Sequence, residues 1–157
     1  MEEHQAPEKI TPTGLSDYLE VMSKAVFQTG ISWRVVDNKW PGIREAFHGF
    51  DPMAVASLNP DEFERLVNDT RIIRNRKKIE AIMDNARQML DLEEQHAGFR
   101  SYLRSHPDFE TTVADLRKRF RFLGDMGAYY FLWVVGEEVP AYEDWCASRG
   151  RTPMAAH

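Results

Sequence analysis

The chain has 157 residues, 43% of them apolar, including four Trp, nine Phe and five Tyr, which suits one domain that buries its own core without crosslinks. Its single cysteine, Cys146, excludes an internal disulfide and a cysteine-based metal framework, and the five scattered histidines offer no ligand spacing instead. No run approaches the roughly 20 apolar residues of a membrane helix, and the opening MEEHQAPEK has neither signal nor transit character. The expectation is a reducing, cytoplasmic setting, with no membrane, cofactor, metal or obligate protein partner.

Residues 1–12 are expected as a flexible tail, 13–150 as one compact helical domain and 151–157 as a second tail. Thr13 or Ser16 can cap a first helix reaching about Gln28, with Leu19, Met22, Val26 and Phe27 on one stripe, and Gly30 breaks it. A short helix is expected from Ser32 to before Pro41, and another from Gly42 to His48, closed by Gly49. Asp51-Pro52 and Asn59-Pro60 each join a capping side chain to a proline that loses no hydrogen bond at the first helical position, so helices open near 52–57 and 60–67. The longest helix runs from about Asn75 to Glu94, where Ile79, Ile82, Met83, Ala86, Met89 and Leu90 recur at three and four. Gly98 ends or interrupts it. A helix over 99–105 stops before Pro107, and Thr111 or Thr112 begins another through Leu116. A turn at Phe120–Gly124 then leads into an apolar helix from Asp125 to Val135. Val139 to Gly150 reads as a short mixed segment. Strand alternation is absent, and the fold class is all-α.

A net charge of −5 argues against nucleic acid when summed, but binding depends on where the cations sit. Arg71, Arg74, Arg76, Lys77 and Lys78 fall in one short run, and Arg117, Lys118, Arg119 and Arg121 in another. Each run is either a solvated helix face or a grip on phosphates. In LRKRFRFLGDMGAYYFLWVVG, a helix ending in cations meets a turn at Gly124, and the next helix begins with small residues, Gly127 and Ala128. Free N–H groups at such a turn form an anion site. Asp125 opposes an anion there, and an ordinary core turn is the alternative.

Phe120-Arg121-Phe122-Leu123-Gly124 resembles the helix-hairpin-helix of the 3-methyladenine DNA glycosylase I family, which carries a phenylalanine where most such hairpins have their first glycine. Phe122 sits there. VFQTGISW at 26–33 resembles that family's QAGLSW block, and REAFHGFDPMAVASL resembles its AF-x-x-FDP-x-x-VA segment. ERLVNDTRIIRNRKKIEAIMDNAR resembles its DxxIIRxRxKIxAxxxNA helix, and the likeness keeps its order over about 17–136. The resemblance implies the helix-hairpin-helix DNA glycosylase fold. It also implies an enzyme of base excision repair that flips an alkylated, 3-methyladenine-like purine from double-stranded DNA and hydrolyses its N-glycosidic bond. Two other readings stay open: a catalytically inactive protein that binds damaged or distorted DNA, and a protein-docking module using the aromatic helix 129–135.

By the same resemblance Trp33 stacks on the base, an indole face attracting a cationic ring by roughly 0.5–2 kcal/mol. Gln28, Gly30 and Ile31 match the wedge that fills the vacated stack. Arg121, Leu123 and Gly124, with Arg74, Arg76 and Lys77, are the expected contacts to the DNA backbone. The departures are equally specific. The family's pocket glutamate stands eight residues before the tryptophan, where this chain has Ala25. Its zinc-ligand Cys–His pairs and the aromatic block before the first helix are missing, which implies a zinc-free branch. In the broader helix-hairpin-helix glycosylases an aspartate follows the last hairpin glycine by about twenty residues, and that count from Gly124 reaches Asp144, beside Glu143. Either could steady an oxocarbenium-like sugar or orient water; a surface acidic stretch is the alternative. Glu20, on the first helix, is set aside.

Overall fold

Side chains that accept from their own helix start set most of the boundaries in a computed structural model that describes residues 7–150. The helices are α1 (Leu15–Gln28), α2 (Trp33–Ala46), α3 (Pro52–Ala56), α4 (Pro60–Val67), α5 (Arg76–His96), α6 (Phe99–Leu103), α7 (Phe109–Arg119), α8 (Asp125–Val134) and α9 (Tyr142–Ser148), with a 3-10 turn at His48–Phe50. The described residues contain no strand. Ser32 caps α2, Asp51 caps α3, Asn75 caps α5 and Asp108 caps α7, each through its side-chain oxygen. Asn59 and Glu62 form a reciprocal box at the start of α4.

Three expectations about elements are corrected. Helix α2 continues through Pro41, although proline leaves the Asp37 carbonyl without its helical donor. Burial of Trp40, Ile43 and Ala46 along one face holds the helix together, and Gly42 brings it against the chain at Arg71, where a Cβ would lie 3.2 Å from the Arg71 Cβ. Helix α7 begins before Thr111, because Asp108 supplies the cap. The mixed segment near the C-terminus forms α9, anchored by buried Trp145 and Cys146.

Part of the stretch expected as a flexible tail is fastened down. The Trp133 indole N–H donates to the Pro7 carbonyl at 2.8 Å, Ile10 N–H donates to the Val134 carbonyl at 2.7 Å, and the Lys9 ammonium lies 4.1 Å from the Trp133 ring centroid. Residues 1–6 and 151–157, the rest of both expected tails, lie outside the described residues.

Helix α1 packs on both α5 and α8 at the centre of the core. Helix α5 turns Ile79, Ile82, Ala86 and Met89 inward, each fully buried; the isoleucines and the methionine contribute roughly 1.5–3 kcal/mol apiece. Trp40 stacks on Phe50 and Phe50 on Phe47, with centroids 5.4 and 5.1 Å apart, which ties α2 to the 3-10 turn. Tyr129 and Phe109 close on Trp145 and hold α9. Within the apolar stripe of α5 sit two buried polar side chains, Lys78 and Asn85, two helical turns apart.

Candidate functional site

Those two side chains each pin a turn. The Lys78 ammonium donates to the carbonyls of Phe27 (3.1 Å) and Thr29 (2.5 Å), so it closes the C-terminal end of α1 and fixes the start of the α1–α2 turn. Carbonyls at a helix C-terminus favour a cation, while burial pushes the Lys78 amine below its usual range. Asn85 grips the backbone of Arg121 on both sides, accepting its N–H at 2.8 Å and donating to its carbonyl at 3.1 Å. The α1–α2 turn holds Gly30 in the left-handed region (φ +75°) and places Ile31 N–H on the Gln28 carbonyl. Across from it stands the α7–α8 hairpin. Thr29 on one side and Arg117, Lys118, Phe122, Leu123 and Gly124 on the other line an open groove of ≈ 600 Å³. The α1–α2 turn and the hairpin therefore border one groove.

Within the hairpin, Phe122 has φ +58°, a conformation that favours glycine. The Phe122 ring is 39% exposed. Phe122→Gly is expected to unfold no earlier than the parent in a thermal melt, because relief of roughly 1–3 kcal/mol of backbone strain offsets the glycine entropy. A lower midpoint would show that the ring packs usefully. Gly124 precedes α8 in extended backbone with no side-chain cap, so the Met126 and Gly127 N–H groups of that first turn can serve an acceptor. Asp125 in that first turn pairs with Arg117 at 2.8 Å and Arg149 at 3.3 Å, which offsets its charge beside an anion. A Cβ on Gly127 would sit 3.1 Å from Leu123 Cδ1 and 3.8 Å from Ala25 Cβ, so glycine permits the close packing of α8 under the hairpin.

The basic runs divide. Arg74, Lys77 and Lys118 are exposed and carry no ion pair among the described residues. Arg76 is held by Glu64 through two hydrogen bonds of 2.8 and 2.9 Å, Arg121 by Asp84 at 2.5 Å and Arg119 by Asp115 at 3.0 Å.

Trp33 opens α2, half-buried, with its indole N–H shielded and without a partner, and the Arg34 guanidinium 5.6 Å from its ring centroid. Trp33, Asp37, Trp40 and Arg44 recur on one face of α2, and the last three meet Glu20 and Lys24 of α1. Lys24 pairs with Asp37 at 2.6 Å, and Glu20 accepts from the Trp40 indole at 2.8 Å and pairs with Arg44 at 2.6 Å. Tyr130 of α8 reaches the same ladder: burial, then the charges of Asp37 and Glu20, push its phenol upward. Gln28 is half-buried where α1 ends, and Ile31 packs on the core. Ala25 is buried against α8.

Glu143 and Asp144 lie exposed on α9, whose inner face is Trp145. No hydrogen bond or ion pair among the described residues joins either to the α1–α2 turn. The fold thus sets the α1–α2 turn, at Thr29, across a groove from the hairpin, and leaves these two carboxylates on a separate helix. Lys24, Asp37, Lys78 and Asn85 were not singled out for these roles by sequence. For the last two a signal exists, namely polar residues seven apart inside an otherwise apolar helical stripe. Among the described residues no group of His, Cys, Asp and Glu could hold a metal ion, and no helix is long and apolar enough to cross a membrane.

A family model for methyladenine glycosylase matches residues 13–120. The DNA-3-methyladenine glycosylase 1 of Escherichia coli K12 is 35% identical over 130 residues, covering 69% of this chain and 70% of that protein. A crystal structure of 3-methyladenine DNA glycosylase I superposes with a TM-score of 0.70 at 30% identity, covering 81% of each chain. The Staphylococcus aureus 3-methyladenine DNA glycosylase I superposes at 0.72 with 24% identity over 86% of this chain and 83% of that one, a likeness of fold.

Proposed function

The chain belongs to the methyladenine glycosylase family, and from that premise we propose that it is a DNA glycosylase of base excision repair acting on alkylated purines of the 3-methyladenine kind in duplex DNA. The observation that carries this reading is the shared groove: the turn leading into Trp33 and the turn leading into α8 face each other, both fastened to α5. The Met126 and Gly127 N–H groups beyond Gly124, with Leu123 and Arg121 shaping the hairpin, take one phosphate. Arg74 and Lys77, with Arg76 beside them, take the neighbouring backbone. Gln28, Gly30 and Ile31 enter the stack as the nucleotide leaves it. Trp33 receives the base.

A purine methylated at N3 or N7 is cationic, so its bond to the sugar is already weakened. As the C1′–N bond breaks, the electron pair goes to the base and cancels its charge. Water then adds its oxygen to C1′ and gives up a proton. Release of free methylated base from alkylated duplex DNA tests the reading, and no release at enzyme excess would overturn it. One observation favours a second reading: Ala25 brings no carboxylate to the family's pocket position. Salt-sensitive binding to an abasic-site analogue without base release would select a binding-only protein.

The divided basic runs give a further expectation. Arg74→Ala and Lys77→Ala should each lower the slope of log K against log salt by about 1, as one phosphate contact is lost. Arg76→Ala should lower it less, because that guanidinium already serves Glu64. Titrations at several salt concentrations check this.

A further inference from the structure

The carboxylates on the three helices that meet at the ladder differ in how fully they are engaged. On α1, Asp17 accepts from the Thr13 N–H and hydroxyl, and Glu20 takes both the Trp40 indole and Arg44. On α8, Asp125 pairs with Arg117 and Arg149. On α2, Glu45 pairs with Arg71, and Asp37 meets Lys24 through Oδ1 alone.

Asp37 stands one helical turn from Trp33 on the same face of α2, where side chains at that spacing have Cβ atoms about 5–6 Å apart. That spacing sets the Asp37 carboxylate beside the ring on which, in the reading above, the base stacks. The Trp33 indole N–H is shielded and unpartnered, and the largely buried Tyr130 phenol on α8 senses the Asp37 charge. The Lys24–Asp37 pair is partly exposed, with side chains 25% and 37% accessible, so water screens their attraction and the carboxylate is not consumed by it.

We propose that Asp37, tethered by Lys24, is the carboxylate this chain presents to the sugar of the flipped nucleotide, in place of the glutamate that Ala25 replaces. The assignment rests on the glycosylase reading above. As the C1′–N bond breaks and its electron pair leaves with the base, the sugar becomes cationic and Asp37 stabilises it electrostatically. Water then bonds to C1′, and its proton passes to the Asp37 carboxylate and on to solvent. Lys24 is a positioning residue that fixes the carboxylate's orientation.

The test compares two duplexes, one with a pyrrolidine abasic analogue, which carries a cation near C1′, and one with its neutral tetrahydrofuran counterpart. The parent is expected to prefer the cation by about tenfold or more, as a charge-assisted contact does. Asp37→Asn should erase that preference, leave tetrahydrofuran binding within about twofold, and slow base release by about 10²-fold. Asp37→Glu should restore part of both. A preference that survives Asp37→Asn, or that the parent lacks, overturns the proposal. So does its loss in Asp144→Asn instead, which would move the role to α9. A preference that depends on Asp37 in a protein that releases no base would uphold the site and sink the hydrolysis reading alone.

Discussion

Trp33→Ala is expected to slow base release by about 10²- to 10³-fold, or roughly 3–4 kcal/mol at 1.36 kcal/mol per decade. The indole supplies two effects that alanine cannot. Its face attracts the cationic purine, and its area replaces the stacking the base loses on leaving the duplex. Both act on the flipped nucleotide only. Binding to a tetrahydrofuran duplex, which has no base to stack, should therefore stay within about threefold, since phosphate contacts dominate that affinity. Trp33 opens α2 at a half-buried position and its N–H bonds to nothing, so the fold should survive the change. Trp33→Phe should keep part of the rate. Single-turnover release of labelled methylated base makes the measurement, and a rate equal to the parent's would remove Trp33 from the reaction.

Asn85→Ala should produce the largest loss of stability among the site variants. It strips two partners from the Arg121 backbone, an N–H at 2.8 Å and a carbonyl at 3.1 Å, at a residue only 2% exposed. Leaving buried polar groups unpaired costs about 1–3 kcal/mol each, so a total of roughly 2–6 kcal/mol is expected. At about 2–4 °C per kcal/mol for a chain of this size, the thermal midpoint should fall by roughly 4–24 °C. The hairpin would also lose its fixed position on α5, so DNA affinity should drop at temperatures where the variant remains folded. A midpoint within a degree of the parent's would mean that the clamp carries no weight.

Much of the fold was legible because its signals are local. Asp51-Pro52, Asn59-Pro60 and Asn75 announce helix starts through a capping oxygen and a tolerated proline, and the structure places α3, α4 and α5 there. Pro41 misled for the opposite reason. A proline's local penalty is fixed, but the burial of Trp40, Ile43 and Ala46 around it is a tertiary term that sequence spacing does not reveal. The strap of residues 7–12 was hidden likewise, since its partners Trp133 and Val134 lie far along the chain.

The site divides in the same manner. Trp33, Gly30 and Gly124 belong to short ordered motifs, so resemblance could name them. Asp37 and Lys24 belong to no motif, and they meet only because α1 and α2 run antiparallel after a tight turn. The basic run 71–78 looked uniform as text, yet Lys78 turns inward to the Phe27 and Thr29 carbonyls while Arg74 and Lys77 face water. Which cation of a helical run is interior depends on the rotation of that helix against its neighbours.

Because Lys78 and Asn85 hang from one rigid rod, the gap between the α1–α2 turn and the hairpin behaves like a calliper setting. Seven residues at about 1.5 Å each separate the jaws by roughly 10 Å, and each residue advances the helix by about 100°. Adding or deleting one residue between them would swing one jaw away from its turn while every side chain remained present. Changes of length can accumulate at the Ser57–Asn59 or Ser105–Asp108 connections, but the span from 78 to 85 is held to a fixed count.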